Sequence, residues 1–175
     1  MDGKNMTDKK KTMPSQQVRK ITLSGAFAAL VFVATQIHIP SAIGYANLGD
    51  GVLLVGGFLL GPIGFFQAAI GAALADLYLG YPDYIPVTFI IKGLMGLIAG
   101  FLLKKKNTSV IWKIIVFIVC ELIMVGGYFL FNIPRRGIVL AMGSMYSDLI
   151  QGLVGVIIAV LLCSILEKHR NRLMN

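Results

Sequence analysis

The chain has 175 residues, of which 57% are hydrophobic and only 14% charged, so it lacks the polar shell that a soluble domain of this length needs. Its formal charge of +8 raises the question of nucleic acid, but the bases cluster in short segments beside long apolar runs, as cytoplasmic loops of membrane proteins do. The runs are continuous and not alternating, which argues against a β-barrel, and several approach the roughly 20 residues needed to cross a bilayer. The chain reads as an all-α integral membrane protein with one helical domain and no separate soluble module.

Residues 1–20 are polar and carry Lys4, Lys9, Lys10, Lys11, Arg19 and Lys20, a basic cytoplasmic tail. The run 21–39 is too long for the apolar part of a signal peptide and is expected to remain as the first membrane helix, stopped by Pro40. On it, Ser24 and Ala28, and Gly25 and Ala29, are small residues four apart. Such spacing lets another helix approach closely, either within this chain or from a second membrane subunit. Both readings stay open.

The run 51–75 is apolar apart from Gln67, but Gly61-Pro62-Ile63-Gly64 interrupts it. It is either one kinked helix or two short helices joined by a tight turn. With two helices, thirteen bases fall inside: those of the tail, Lys104, Lys105, Lys106, Lys113, Lys168, Arg170 and Arg172. Only Arg135 and Arg136 then fall outside. With one helix the triple lysine moves outside, against the usual bias, so two helices are predicted. The remaining spans are about 86–103, 110–131 and 147–166. The prediction is six transmembrane helices over residues 21–166, with basic cytoplasmic tails at 1–20 and 167–175. The outer connections are 40–47, 81–85 and 132–146, the last a candidate lid.

Depth follows from the helical rise. Asp50 and Asp148 lie at outer helix ends, Asp76 about one turn in, and Lys92 about 9 Å inside the fourth helix. Glu121 lies near the middle of the fifth. A charge among Leu, Ile, Phe and Gly is costly unless paired, wetted or used. Thr88 and Lys92 share one face; so do Glu121, Tyr128 and Asn132, and so do Asp148 and Gln151. These stripes predict a polar pocket open to the outside, with Tyr45, Tyr84, Tyr128 and Tyr146 as flat walls. The plainer reading is that Asp76 or Glu121 merely neutralises Lys92.

Catalytic signals are poor. No Gly-x-x-x-x-Gly-Lys-Ser/Thr loop occurs, so this chain is not expected to hydrolyse ATP. His38 and His169 fall on opposite sides, Cys120 and Cys163 are isolated in apolar runs, and neither pair is assigned a metal. Asp50 and Asp83 make a weak acid–base pair, since nothing brings them together. A membrane enzyme on a lipid or prenyl substrate would need carboxylates at the cytoplasmic face, where few are found. A structural protein whose charges only lock its helices is the other class considered.

The stretch Asn47-Leu48-Gly49-Asp50, Leu60-Gly61-Pro62, Ala75-Asp76-Leu77 and Tyr81-Pro82 through Phe89-Ile90-Ile91-Lys92-Gly93-Leu94-Met95-Gly96 resembles the S components of energy-coupling-factor (ECF) vitamin transporters. The likeness is to their riboflavin-type subgroup, which includes proteins assigned to hydroxymethylpyrimidine or pyridoxine. The resemblance implies a capture subunit in the plasma membrane that needs no cofactor and no nucleic acid. It implies a transmembrane coupling subunit and two ATPases as partners, and release of the vitamin inside by toppling. Asn47, Asp50, Asp76 and Lys92 become the first site residues to test. Ser24, Gly25, Ala28 and Ala29 match the family's small-residue docking motif, with Leu30 and Val33 departing from it. Pyridoxine or hydroxymethylpyrimidine is expected ahead of riboflavin.

Overall fold

The computed structural model describes the backbone of residues 6–41, 44–105 and 108–174, and the side chains of 17–38, 47–105 and 108–167. The tail bases Lys4, Lys9, Lys10, Lys11, Lys168, Arg170 and Arg172, and Lys106, therefore lie outside the described side chains. Helix α1 (Met6–Gln36) leads into an antiparallel hairpin, β1 (His38–Ser41) paired with β2 (Gly44–Asn47). Then come α2 (Gly49–Leu60), α3 (Gly64–Tyr78), α4 (Ile85–Leu102), α5 (Val110–Arg136) and α6 (Ile138–Met174).

Gly61 is where the chain reverses. Its φ of +72° suits a residue without a side chain, and Pro62 sits in the 3-10 turn Gly61–Ile63 that follows. Gln67 donates its side-chain N–H to the Leu53 carbonyl at 2.9 Å. In one continuous helix those positions would stand about 21 Å apart. The contact exists only because α3 folds back along α2.

Helix α2 is apolar all round, and 11 of its 12 residues are buried, as expected of a helix with neighbours on every side. It touches α1, α3, α4 and α6. Leu53, Leu54, Phe58, Met95, Phe117 and Met124 form the middle of the core. Helices α3 and α4 approach through glycines. A Cβ on Gly96 would lie 2.4 Å from the Gly64 carbonyl, and one on Gly64 would lie 2.7 Å from Gly57 Cα. In lipid, helix association rests on such fit, because the surrounding tails are as apolar as leucine.

Outside the core, Leu30, Val33, Phe66, Phe101, Ile111, Leu130, Leu153 and Ile165 are all more than half exposed. Five stretches among the described residues are long and apolar enough to cross a membrane: Gln17–Gln36, Gly49–Tyr78, Pro82–Leu102, Val110–Arg136 and Ile138–Glu167. The second is the one folded at Gly61. Large apolar side chains facing outward on such helices belong against lipid, and this is a multi-pass membrane protein.

The structure corrects several expectations. Within the connection expected at 40–47 the chain forms part of a short hairpin, His38–Ser41 against Gly44–Asn47, added to an otherwise all-α fold. The expected lid at 132–146 does not exist: α5 runs to Arg136, α6 starts at Ile138, and Gly137 at φ +79° makes the turn alone. Residues 138–146 contain no proline and include the good helix formers Leu140, Ala141, Met142 and Met145, and they extend α6 instead. Helix α1 begins at Met6, inside the segment read as a tail. Lys113, counted among the inner bases and within the predicted fifth span, is fully buried on α5 and pairs with Glu167 of α6 at 2.6 Å.

Candidate functional site

The hairpin, the turn at Tyr81–Tyr84 and the Gly137 turn gather at one end of the bundle, opposite Gly61, the start of α1 and the end of α6. At that end lies a cavity of about 340 Å³. Its floor is set by α2. Asn47 accepts the Gly49 N–H on its Oδ1 at 2.9 Å, an Asx turn that starts the helix, and Asp50 sits in the first turn, where the helix dipole favours an anion.

Asp50 is the hub. Lys92 of α4 donates to its Oδ1 at 2.5 Å, and Gln151 of α6 donates to its Oδ2 at 2.6 Å. Gln151 then accepts on Oε1 from the Asn47 side-chain amide at 2.9 Å and from the Asn47 backbone N–H at 3.2 Å. Four residues from β2, α2, α4 and α6 thus satisfy one another in a buried network. Such a network holds its members in one arrangement, because breaking any bond strands a buried polar group. Lys92 therefore pairs with neither Asp76 nor Glu121, the two partners expected from sequence. Helix rise alone could not reveal that the start of α2 faces the second turn of α4.

The wall is aromatic. Tyr84 donates to Asn132 Oδ1 at 2.6 Å, and Asn132 Nδ2 donates to Ser144 Oγ at 3.2 Å. The Thr88 and Tyr128 hydroxyls are 2.9 Å apart. Either hydroxyl can be the donor. Lys92 Nζ lies 5.6 Å from the Tyr128 ring, and the Arg136 guanidinium stands at the same distance over Tyr84.

Of the residues singled out from sequence, Asn47, Asp50, Asp76, Tyr84, Thr88, Lys92, Tyr128, Asn132, Asp148 and Gln151 line this cavity. Glu121 does not. It is buried behind the Lys92–Asp50 pair against Gly152 and Gly155, with neither carboxylate oxygen hydrogen-bonded among the described residues. The side chain of Tyr45 lies outside the described residues; its backbone is in β2. Tyr146 is 69% exposed and is no wall. Asp83 holds Arg135 at 2.6 Å on the surface, so it makes no pair with Asp50. Lining residues missed from sequence include Thr35, Tyr81, Arg136 and Ser144. Ser144 lies four before Asp148 and seven before Gln151, a helical stripe hidden by reading 132–146 as a loop. Arg136 was taken only as a topology signal.

Along α1 and α3 runs an apolar groove containing Ser24, Gly25, Ala28 and Ala29. Ser24 is buried and Ala28 partly so, while Gly25 and Ala29 are exposed. The Ala28 carbonyl lies 2.5 Å from where a Gly71 Cβ would sit, so part of the stripe packs within this chain.

Comparison with known proteins accords with this arrangement. A protein of Lactococcus lactis subsp. cremoris, described as the thiamine precursor transporter HmpT, is 30% identical over 166 residues, 90% of this chain and 93% of that one. An uncharacterized protein of Pyrococcus woesei is 36% identical over 136 residues, 77% of this chain and 90% of that one. A UPF0397 protein of Streptococcus agalactiae is 35% identical over 98 residues, 53% of each chain. The family model for the S component of the ECF-type riboflavin transporter matches residues 15–168, and the chain belongs to that family.

Proposed function

We propose that this chain is the capture subunit of an ECF-type importer, holding a water-soluble vitamin or vitamin precursor in the cavity at the hairpin end. The observation that carries the reading is the Asn47–Gln151–Asp50–Lys92 network at the floor of a tyrosine-walled cavity in a multi-pass member of this family. A few placed polar groups among flat apolar walls is how small-molecule sites are built. At about 340 Å³ the cavity is near the small end of the usual range, roughly 300–1,000 Å³, which suits a single substituted ring. Hydroxymethylpyrimidine or pyridoxine is therefore favoured. The relative described as a thiamine precursor transporter points the same way. Riboflavin is the alternative, in keeping with the description of the family.

In the membrane the chain makes six spans with both termini cytoplasmic, the short α2 and α3 each crossing through a locally thinned bilayer. The cavity then faces outside. ATP hydrolysis belongs to two partner ATPases, and a transmembrane coupling subunit docks on the exposed Gly25 and Ala29 beside the α1–α3 groove. Docking lets the subunit topple and deliver its ligand inside. Equilibrium binding of hydroxymethylpyrimidine, pyridoxine and riboflavin to the purified protein tests the capture role, and co-purification with an ATPase pair tests the assembly. Affinity weaker than about 1 μM for all three sinks the substrate assignment.

A further inference from the structure

Glu121 is a buried acid that the capture site leaves unused. It lies near the middle of α5, only 5% exposed, and neither of its carboxyl oxygens has a hydrogen-bond donor among the described residues. Burying such a group in a membrane costs free energy in either protonation state. Helix α6 makes room for it. A Cβ at Gly155 would lie 2.7 Å from Glu121 Oε1, and one at Gly152 would lie 3.2 Å from Oε2, so two glycines three apart form the niche that holds the carboxyl group.

The niche adjoins the floor of the cavity. The same Gly155 Cβ position is 3.1 Å from Asp50 Cβ, so Glu121 and Asp50 press on one glycine from α5 and α2. Two acids share one ammonium: Lys92 donates to Asp50, and Glu121 attracts it as well. Other cations of α5 are committed or remote. Lys113 is about two turns away and holds Glu167, while Arg135 and Arg136 stand in the last turn, at the outer end.

A ligand that hydrogen-bonds Asp50 from the cavity competes with the two bonds Asp50 already accepts, from Lys92 and Gln151. Gln151 is itself tied to Asn47 by two bonds, and Asp50 is fixed in the first turn of α2. Lys92 ends a flexible four-carbon stem and is the member able to swing. Within the capture-subunit reading, on which this rests, we propose that Glu121 is the second station of Lys92: a ligand engaging Asp50 displaces the ammonium, and Glu121 receives it. The buried ammonium then keeps a carboxylate partner throughout, which avoids the large penalty of opening a buried pair. Glu121 is a positioning residue. It touches no ligand, and its own unsatisfied state is relieved on binding, so part of the affinity arises there.

The test compares the purified full chain with Glu121→Gln, which keeps the size of the side chain and removes its charge. Thermal unfolding is measured without added vitamin, and binding with hydroxymethylpyrimidine, pyridoxine and riboflavin. Glu121→Gln is expected to melt at or above the temperature of the parent, since no ion pair is lost, and to bind the preferred vitamin at least about tenfold more weakly. Infrared difference spectra on adding that vitamin are expected to show a carboxyl band change in the parent that Glu121→Gln lacks. A variant that loses stability along with affinity overturns the proposal, because a merely structural role moves both the same way. So does a variant that binds like the parent, or one that gives the same carboxyl bands; in each of these cases the parent still binds and the capture role stands. If none of the three vitamins binds the parent, the capture reading fails and takes the proposal with it.

Discussion

Lys92 Nζ lies 2.5 Å from Asp50 Oδ1, and both side chains are buried at the floor of the cavity. Removing one partner of such a pair strands the other charge, at a cost of about 3–5 kcal/mol. We expect Lys92→Met to lower the melting temperature as well as abolish ligand binding. Lys92→Met combined with Asp50→Asn is expected to recover most of the stability and none of the binding. Thermal unfolding in detergent, read beside a binding isotherm, separates the two effects. A single variant that melts like the parent contradicts the pairing.

Gln151 serves three polar groups at once, the Asp50 carboxylate and two N–H groups of Asn47. Gln151→Leu leaves all three without it, each worth about 1–3 kcal/mol when buried. The hairpin is tied to the bundle through Asn47, so its release is expected to show as faster amide exchange around β2. Unchanged exchange there, with binding intact, is the contrary result.

Glycines at helix contacts differ sharply in what they tolerate. A Cβ at Gly96 meets the Gly64 carbonyl at 2.4 Å and Ala68 Cβ at 2.9 Å, whereas one at Gly126 meets nothing within 4 Å. Gly96→Ala is expected to destabilise by about 1–3 kcal/mol through overpacking. Gly126→Ala is expected to be neutral or slightly stabilising, since alanine is the better helix former. Parallel melting curves decide it; equal effects refute the close α3–α4 approach.

At Gly25 the added side chain also has free space. Gly25→Leu is therefore expected to leave the isolated subunit folded and able to bind ligand. If the exposed face of α1 meets a coupling subunit, the same change prevents co-purification with the ATPases and abolishes uptake. Normal uptake by this variant would place the docking surface elsewhere.

Much of the site was legible because its residues are out of keeping with their surroundings. Asp50, Asp76, Lys92 and Asp148 interrupt apolar runs, the first three within about two turns of a helix end and Asp148 about three turns into α6. The helical period then brought in Thr88, Tyr128, Asn132 and Gln151. It failed where the period was applied to wrong boundaries. Ser144 and Arg136 were lost because 132–146 was taken for a loop, and Glu121 was drawn into the cavity because it shares a face with Tyr128. The Lys113 pairing escaped notice for a related reason: a lysine near a helix end looks the same in sequence whether it faces water or the half-buried Glu167 of a neighbouring helix.

What the sequence by itself determined is the class of molecule, the reversal at Gly61-Pro62 and the end of the bundle at which charge collects. Those follow from local causes: apolar run length, backbone freedom at glycine and proline, and the side on which lysines gather. Pairing belongs to the tertiary structure alone. Asp50 meets Lys92 forty-two positions later and Gln151 a hundred and one positions later. Those distances depend on how far α2 sinks between α4 and α6 and on its rotation there. The glycine contacts and the shapes of the neighbouring helices set both, and no local pattern encodes them.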